Sequence, residues 1–212
     1  MSVYYSDMGK GVSRKRIIEF FQKQGGYARS LDFKAAHFRP TEITELVREG
    51  VLDKIKAGLY RLSDIEFPDA LAMSFVDVSK AMKNGVICLI SALVHHELSS
   101  FNPTAVYVAV PNEKYAAKII YPPVDIFYFR RRFYESGIEI LQTKYGEVKI
   151  YNKEKTVCDM FRYRNKLGED LAFEGLRNYV GSKGADINRL MQYAEICRVK
   201  LVLAPYLKAL LG

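Results

Sequence analysis

Between residues 13 and 62 the chain changes backbone character every few residues, and that rhythm leaves few folds open. Behind Ser13, which reads as an N-cap, Ile17, Ile18, Phe20 and Phe21 recur at helical spacing until Gly25 and Gly26 end the pattern. Tyr27 and Ala28 make a short linking strand or turn. A second short helix is predicted over 30–36, carried by Leu31, Phe33, Ala35 and Ala36. A third opens near Arg39, with Pro40 in its first turn, where a missing N–H loses no helical bond. Ile43, Leu46 and Val47 follow at i, i+3 and i+4, and Gly50 closes the helix. Residues 51–55 and 59–62 then read as two short strands about a turn that holds Gly58. Three short helices and a hairpin in about 50 residues predict a winged helix-turn-helix.

The same stretch is where the charge lies. The 212 residues carry a net charge of +8. Between residues 10 and 61, twelve lysines and arginines face six acids, so a quarter of the chain holds three quarters of the surplus. Such a concentration points to a polyanionic partner. A recognition helix over 39–49 with Ile43, Leu46 and Val47 inward leaves Arg39, Thr41, Glu42, Thr44, Glu45 and Arg48 outward. Arg39, Thr41 and Thr44 lie toward its N-terminal end, where such helices meet base edges, and Arg48 can reach phosphate or base. Lys54, Lys56 and Arg61 on the hairpin would bear on the backbone or an adjacent minor groove. Arg14, Lys15 and Arg16 at the first helix favour phosphate. Glu42 and Glu45 would repel it, which keeps a protein-contact wing open as the alternative.

Beyond residue 62 the pattern changes. Residues 63–68 read as a linker, 69–80 as a helix and 87–98 as a more apolar helix. Strand-like runs follow at 106–110, 119–120, 125–129, 138–143 and 148–151, with 144–147 as a hairpin turn. Helical period then covers 155–164, 170–180, 186–198 and 200–211. The fold class expected is α+β: a winged helix-turn-helix over 1–66, then a larger α+β domain over 67–212 with a central antiparallel sheet and C-terminal helices. The longest apolar run, 86–94, is far short of the ~20 residues that span a bilayer. The opening residues hold no apolar signal region, so a cytoplasmic, non-membrane protein is expected. Cys88, Cys158 and Cys197 are far apart with apolar neighbours, which reads as buried free thiols.

Enzymatic signals are weak. Asp125 with Glu147 and Lys149 would suit a Mg²⁺-dependent nuclease if strands brought them together, but Glu-x-Lys is also how an exposed strand alternates. His95-His96-Glu97 lacks the second histidine of a metalloprotease helix, since positions 99 and 100 are serines. No phosphate-binding glycine loop occurs, so no cofactor, metal or enzymatic activity is expected. Arg130, Arg131 and Arg132 read either as a second basic contact surface or as a solvated turn with acid partners such as Glu135 and Glu139. Phe127-Tyr128-Phe129 looks like a base-stacking strip, but at strand period it reads more readily as core and edge packing.

Several blocks in order resemble one family. They are 46–52 running into 58–62, then 86–93 before His96-Glu97-Leu98, then 106–111, 154–164, Asp170-Leu171-Ala172 and Pro205-Tyr206-Leu207. The chain resembles the AbiEi antitoxins, transcriptional regulators of abortive-infection (phage-defence) toxin–antitoxin systems. The resemblance implies a winged-helix domain that binds inverted repeats in its own promoter and represses its operon. It implies a C-terminal domain that supplies antitoxin activity. The functional partner implied is an AbiEii-like, nucleotidyltransferase-like toxin, counteracted without a stable complex (type IV). Homo-oligomeric binding on DNA is expected, because one small winged helix reads few bases. The family's most characteristic C-terminal stretch here holds Thr156, Asp159, Arg162 and Arg164. It reads either as a capped helix with a structural Asp–Arg pair or as a functional surface.

Overall fold

The computed structural model describes residues 2–113 and 116–212, with the side chains of the first helix described from Val12 onward. In chain order the elements are α1 (Ser2–Lys23), β1 (Tyr27–Arg29), α2 (Ser30–Ala35), α3 (Pro40–Arg48), β2 (Leu52–Lys56), β3 (Leu59–Leu62), α4 (Ala70–Ala81) and β4 (Val86–Ile87). Then come α5 (Leu89–His95), β5 (Val106–Pro111), β6 (Val124–Phe129), α6 (Arg131–Tyr134), β7 (Ile138–Thr143) and β8 (Gly146–Tyr151). The chain closes with α7 (Lys153–Arg162), α8 (Arg164–Leu167), α9 (Glu169–Gly181), α10 (Ile187–Ile196) and α11 (Lys200–Leu211). The fold class is α+β. Two compact units are present: residues 1–77 with 118–122, and residues 78–117 with 123–212.

In the first unit, Ile17 and Phe21 of α1, Phe33 of α2, and Ile43 and Leu46 of α3 meet Ala28, Leu52 and Leu62 of the strands in one core. Each of the isoleucine, leucine and phenylalanine side chains contributes roughly 1.5–3 kcal/mol on burial. Phe20, Phe33 and Phe38 extend it as an aromatic cluster, with Phe20 and Phe38 centroids 5.3 Å apart in an edge-to-face pair. Ser13 lies inside α1 rather than at its start, so it is not the N-cap that the sequence suggested. His37 adopts φ 58 in the turn from α2 to α3. The sheet runs β1-β3-β2 and is antiparallel throughout. Gly26, at φ 80, has no room for a side chain, because a Cβ there would fall 2.2 Å from the Ile65 side chain.

The β2–β3 hairpin carries a register shift between Lys54 and Lys56, which leaves Ile55 without a cross-strand partner. Its carbonyl is not left bare. The N–H groups of Ile120 and Tyr121 both donate to it, at 2.8 and 3.2 Å. Residues 119–120, expected as a strand, are therefore not in a ladder; Ile120 serves with Tyr121 as a partner to a bulge.

Arg61 is buried, at 3% exposure. Its Nη1 donates to Asp77 Oδ2 at 2.7 Å and its Nη2 to Asp53 Oδ2 at 2.5 Å. Tyr27 donates its hydroxyl to the other Asp77 oxygen at 2.7 Å. The first compact unit runs on to Asp77, whose carboxylate joins this network.

The second unit holds a five-stranded sheet of order β6-β5-β4-β8-β7. It is mixed, not antiparallel as expected. The β5–β6 and β4–β8 pairs are parallel, while β4–β5 and β7–β8 are antiparallel. The reason lies in the connections. A link of a dozen residues, 112–123, is long enough to return the chain to the same end of the sheet, whereas a two-residue turn forces β7 and β8 to oppose. The predicted helix over 87–98 is also split. Val86 and Ile87 pair with Ala109 and Val108 as a strand, and Leu89 turns the corner into α5 at φ 48. A continuous apolar run has no period to separate strand from helix. The core gathers Leu93, Phe127, Phe129, Tyr151, Val157, Phe161, Leu176, Leu190 and Leu203 around α7. Cys88, Cys158 and Cys197 are free and buried there, as read from the sequence.

Asp77→Ala leaves the Arg61 guanidinium buried with one partner fewer. The expected cost is about 3–5 kcal/mol in chemical denaturation at neutral pH. A change below about 1 kcal/mol would mean that the network contributes nothing specific.

Candidate nucleic-acid interface

Helix α3 keeps its apolar stripe inward, with Ile43 and Leu46 buried and Val47 half-buried. Arg39, Thr41, Thr44 and Arg48 are exposed on the opposite side. Thr44 donates its hydroxyl to the Pro40 carbonyl at 3.0 Å, so its polar atom is held close to the helix. The two glutamates on this face are not bare charges. Glu42 accepts from the Arg39 guanidinium at 3.0 Å, from the Ser13 hydroxyl at 2.7 Å and from the Arg39 backbone N–H at 2.9 Å. These bonds, led by that from the Arg39 side chain, hold its carboxyl down at about 2. Glu45 pairs with Arg48 at 3.7 Å, and Glu49 at the end of the helix with Arg14 at 3.1 Å. The repulsion that these acids would exert on phosphate is thus locally offset by neighbouring cations.

Helix α1 supplies Arg14, Lys15 and Arg16, all exposed. The Arg16 guanidinium lies 5.9 Å from the Phe38 ring centroid, beside the turn into α3. On the hairpin Lys54 is exposed and Lys56 half-buried. Burial, then the charge of Arg29, pushes the Lys56 ammonium below its usual range. Arg29 is exposed on β1, and sequence reasoning missed it because it falls on a three-residue strand read only as a link. Arg61 is the correction on this surface. Its side chain turns inward to Asp53 and Asp77 and is not presented to any partner.

The second unit rearranges the other candidates. Asp159 is fully buried and cannot belong to a functional surface. Its partner is Lys155, one turn earlier and equally buried, rather than an arginine. The Lys155 ammonium also lies 4.2 Å from the Tyr151 ring centroid and 5.0 Å from that of Phe129. Burial raises the Asp159 carboxyl, with Lys155 pulling the other way. The cap of α7 is Asn152, whose side chain accepts from the Lys155 N–H at 2.9 Å. Arg162 is half-buried over Phe133, 3.5 Å from its centroid, and Arg164 donates to the Phe161 carbonyl at 2.9 Å. Arg130, Arg131 and Arg132 are exposed. Arg131 pairs with Glu135 at 2.8 Å as the solvated-turn reading expects, while Glu139 lies nearer Arg189, at 3.8 Å.

The nuclease constellation does not assemble. Asp125 is on β6, whereas Glu147 and Lys149 are on β8, with β5 and β4 between them. Three interstrand spacings put them about 14 Å apart. Among the described residues no group of three His, Cys, Asp or Glu side chains is placed to hold a metal. His96 sets its Nε2 2.7 Å from the Tyr151 carbonyl, and burial lowers its pKa. No helix among the described residues is long and apolar enough to cross a membrane.

A family model described as transcriptional regulator, AbiEi antitoxin, matches residues 15–63. This segment, which holds the basic part of α1, the rest of the three-helix arrangement and the hairpin, is what the chain has in common with that family. No curated protein matches the chain.

Glu42 has a folded pKa near 2 against an ordinary 4.5. A depressed carboxyl stabilises the fold above its unfolded pKa and loses that contribution as the pH falls toward the folded one. Melting temperature measured between pH 4.5 and 2 should therefore fall less steeply in Glu42→Gln than in the wild type; identical slopes would contradict the assignment. For the buried pair of α7, Lys155→Ala should destabilise by about 3–5 kcal/mol, whereas Lys155→Met with Asp159→Leu should recover most of the loss. A double variant as unstable as the single one would show that the pair is not the reason both charges are tolerated.

Proposed function

We propose that this chain, whose residues 15–63 match the AbiEi antitoxin and transcriptional regulator family, is the antitoxin of an AbiE-like toxin–antitoxin system. In this reading it also represses its own operon. The helices and hairpin of residues 1–66 act as a winged helix-turn-helix on promoter inverted repeats. Residues 67–212 supply antitoxin activity. The protein works in the cytoplasm without enzymatic activity, against a nucleotidyltransferase-like toxin with which it forms no stable complex (type IV).

The observation that carries the DNA-binding part is the division of α3. Ile43 and Leu46 fix one side in the core, and Arg39, Thr41, Thr44 and Arg48 stand on the other. A helix held in this way has the width of a major groove and donors at its leading end. Lys54 and Lys56 on the hairpin, with Arg14, Lys15 and Arg16 on α1, supply cations for phosphates on either side. The paired state of Glu42, Glu45 and Glu49 supports the reading, because an unpaired glutamate here would oppose the phosphate backbone.

Two half-sites engaged by linked copies would multiply the modest affinity of one module through effective concentration. Arg61 has no place in this interface, since it is spent inside the unit.

Binding of the full chain to the duplex upstream of its own coding sequence should weaken steeply between about 50 and 200 mM salt, with roughly 0.9 of a log–log slope for each phosphate neutralised. The combined Arg39→Ala, Thr44→Ala and Arg48→Ala variant should lose the promoter shift while losing only about 0–1 kcal/mol of stability for each exposed ion pair removed. Absence of duplex binding at the lowest salt would reject the reading. Tight co-purification with the toxin would favour a protein-contact role instead.

A further inference from the structure

The segment 118–122 lies far along the chain from the hairpin yet belongs to the first unit. Two adjacent backbone N–H groups, those of Ile120 and Tyr121, converge on the single carbonyl of Ile55 at the hairpin bulge. This fixes their backbone against β2 and leaves the side chains outside: Ile120 is 57% exposed and Tyr121 46%. The neighbours of the bulge on β2 are Lys54 and Lys56, and Lys118 begins the segment, exposed. An apolar pair beside cations, anchored by backbone rather than by burial, is the chemistry of a minor-groove contact. Cations follow the phosphates at the rim while apolar side chains meet the floor and the sugars.

We infer that Ile120 and Tyr121, held on the bulge of the β2–β3 hairpin, form a second duplex-contacting element that works beside Lys54 and enters the minor groove as an apolar wedge. This rests on the duplex-binding reading of the first unit and adds to it residues outside the 15–63 segment. It gives the bulge a purpose. On the edge strand β2 the register shift beside Ile55 sets the carbonyl that both N–H groups of the segment reach.

The test uses the full chain and the duplex upstream of its own coding sequence, with affinity measured across salt. Ile120→Ser with Tyr121→Ser should bind about tenfold more weakly while keeping the wild-type salt slope, because no phosphate contact is lost. Lys54→Ala should lower that slope by about 1. Ile120→Val with Tyr121→Phe should restore affinity. A photo-reactive benzoyl-phenylalanine at position 121 should cross-link to labelled duplex, a readout that does not depend on how well the serine variant folds. Wild-type affinity in the serine variant, or no cross-link at position 121, overturns the inference and leaves the duplex-binding reading in place. Wild-type affinity together with weaker self-association in sedimentation also overturns it, and gives the patch to a second copy of the chain. A wild-type chain that binds no duplex removes both.

Discussion

A guanidinium taken out of water sets the terms for the N-terminal unit. Arg61 stands opposite Asp53 in the β2–β3 register and reaches past it to Asp77, which also takes the Tyr27 hydroxyl. A buried charge is tolerated only when it is paired and hydrogen-bonded. The hairpin therefore has one acceptable register. A slip by one residue would put Tyr60 or Leu62 opposite Asp53, turn the guanidinium to the other face and leave the Asp77 carboxylate buried without it. The same network joins β1, β2, β3 and the residue at position 77, so the orientation of the sheet under α3 follows from it. One cation in the basic stretch is thereby withdrawn from the surface to hold the others in place.

What remains outside is organised by pairing as much as by net charge. Glu42 is gripped by Arg39 and Ser13, Glu45 by Arg48 and Glu49 by Arg14. Exposed pairs of this kind contribute little to stability, of order 0–1 kcal/mol. Their effect is on direction. They tie Arg39 and Arg48 to the helix that bears them and cancel the negative charge that a phosphate would meet. The second unit handles charge differently. Lys155 and Asp159 neutralise each other within a helix that is buried on every side, between aromatic rings that face the ammonium.

Much of this was legible in the sequence wherever a period or a breaker was strong. The two short helices α2 and α3, the C-terminal end of α1, the hairpin about Gly58, the β7–β8 hairpin and the C-terminal helices all follow from apolar spacing and glycine. The exposure of the candidate residues was legible too, since Arg39, Thr41, Thr44, Arg48 and Lys54 are exposed where helical and strand spacing place them. Arg61 is expected outside because it is a cation on the hairpin, yet it shares the buried face of β3 with Leu59, and the carboxylate that offsets its burial lies at position 77, outside the hairpin. For Asp159 the structural alternative is the one realised, with Lys155 rather than an arginine as partner; α7 is polar in sequence and buried in space, and no local pattern reveals the partners that replace its solvation. The split of 87–98 and the parallel strand pairs depend on long-range neighbours. So does the seating of Ile120 on Ile55, a contact across 65 positions that only the folded chain brings together.

The decisive measurement is a guanine-methylation protection footprint of the full chain on the DNA upstream of its own coding sequence. An α3 seated in the major groove shields guanine N7 in two half-sites about one helical turn apart. Arg39→Ala with Arg48→Ala should erase that protection. Unprotected guanines at saturating protein, or protection that survives the paired substitution, would show that α3 does not read the duplex.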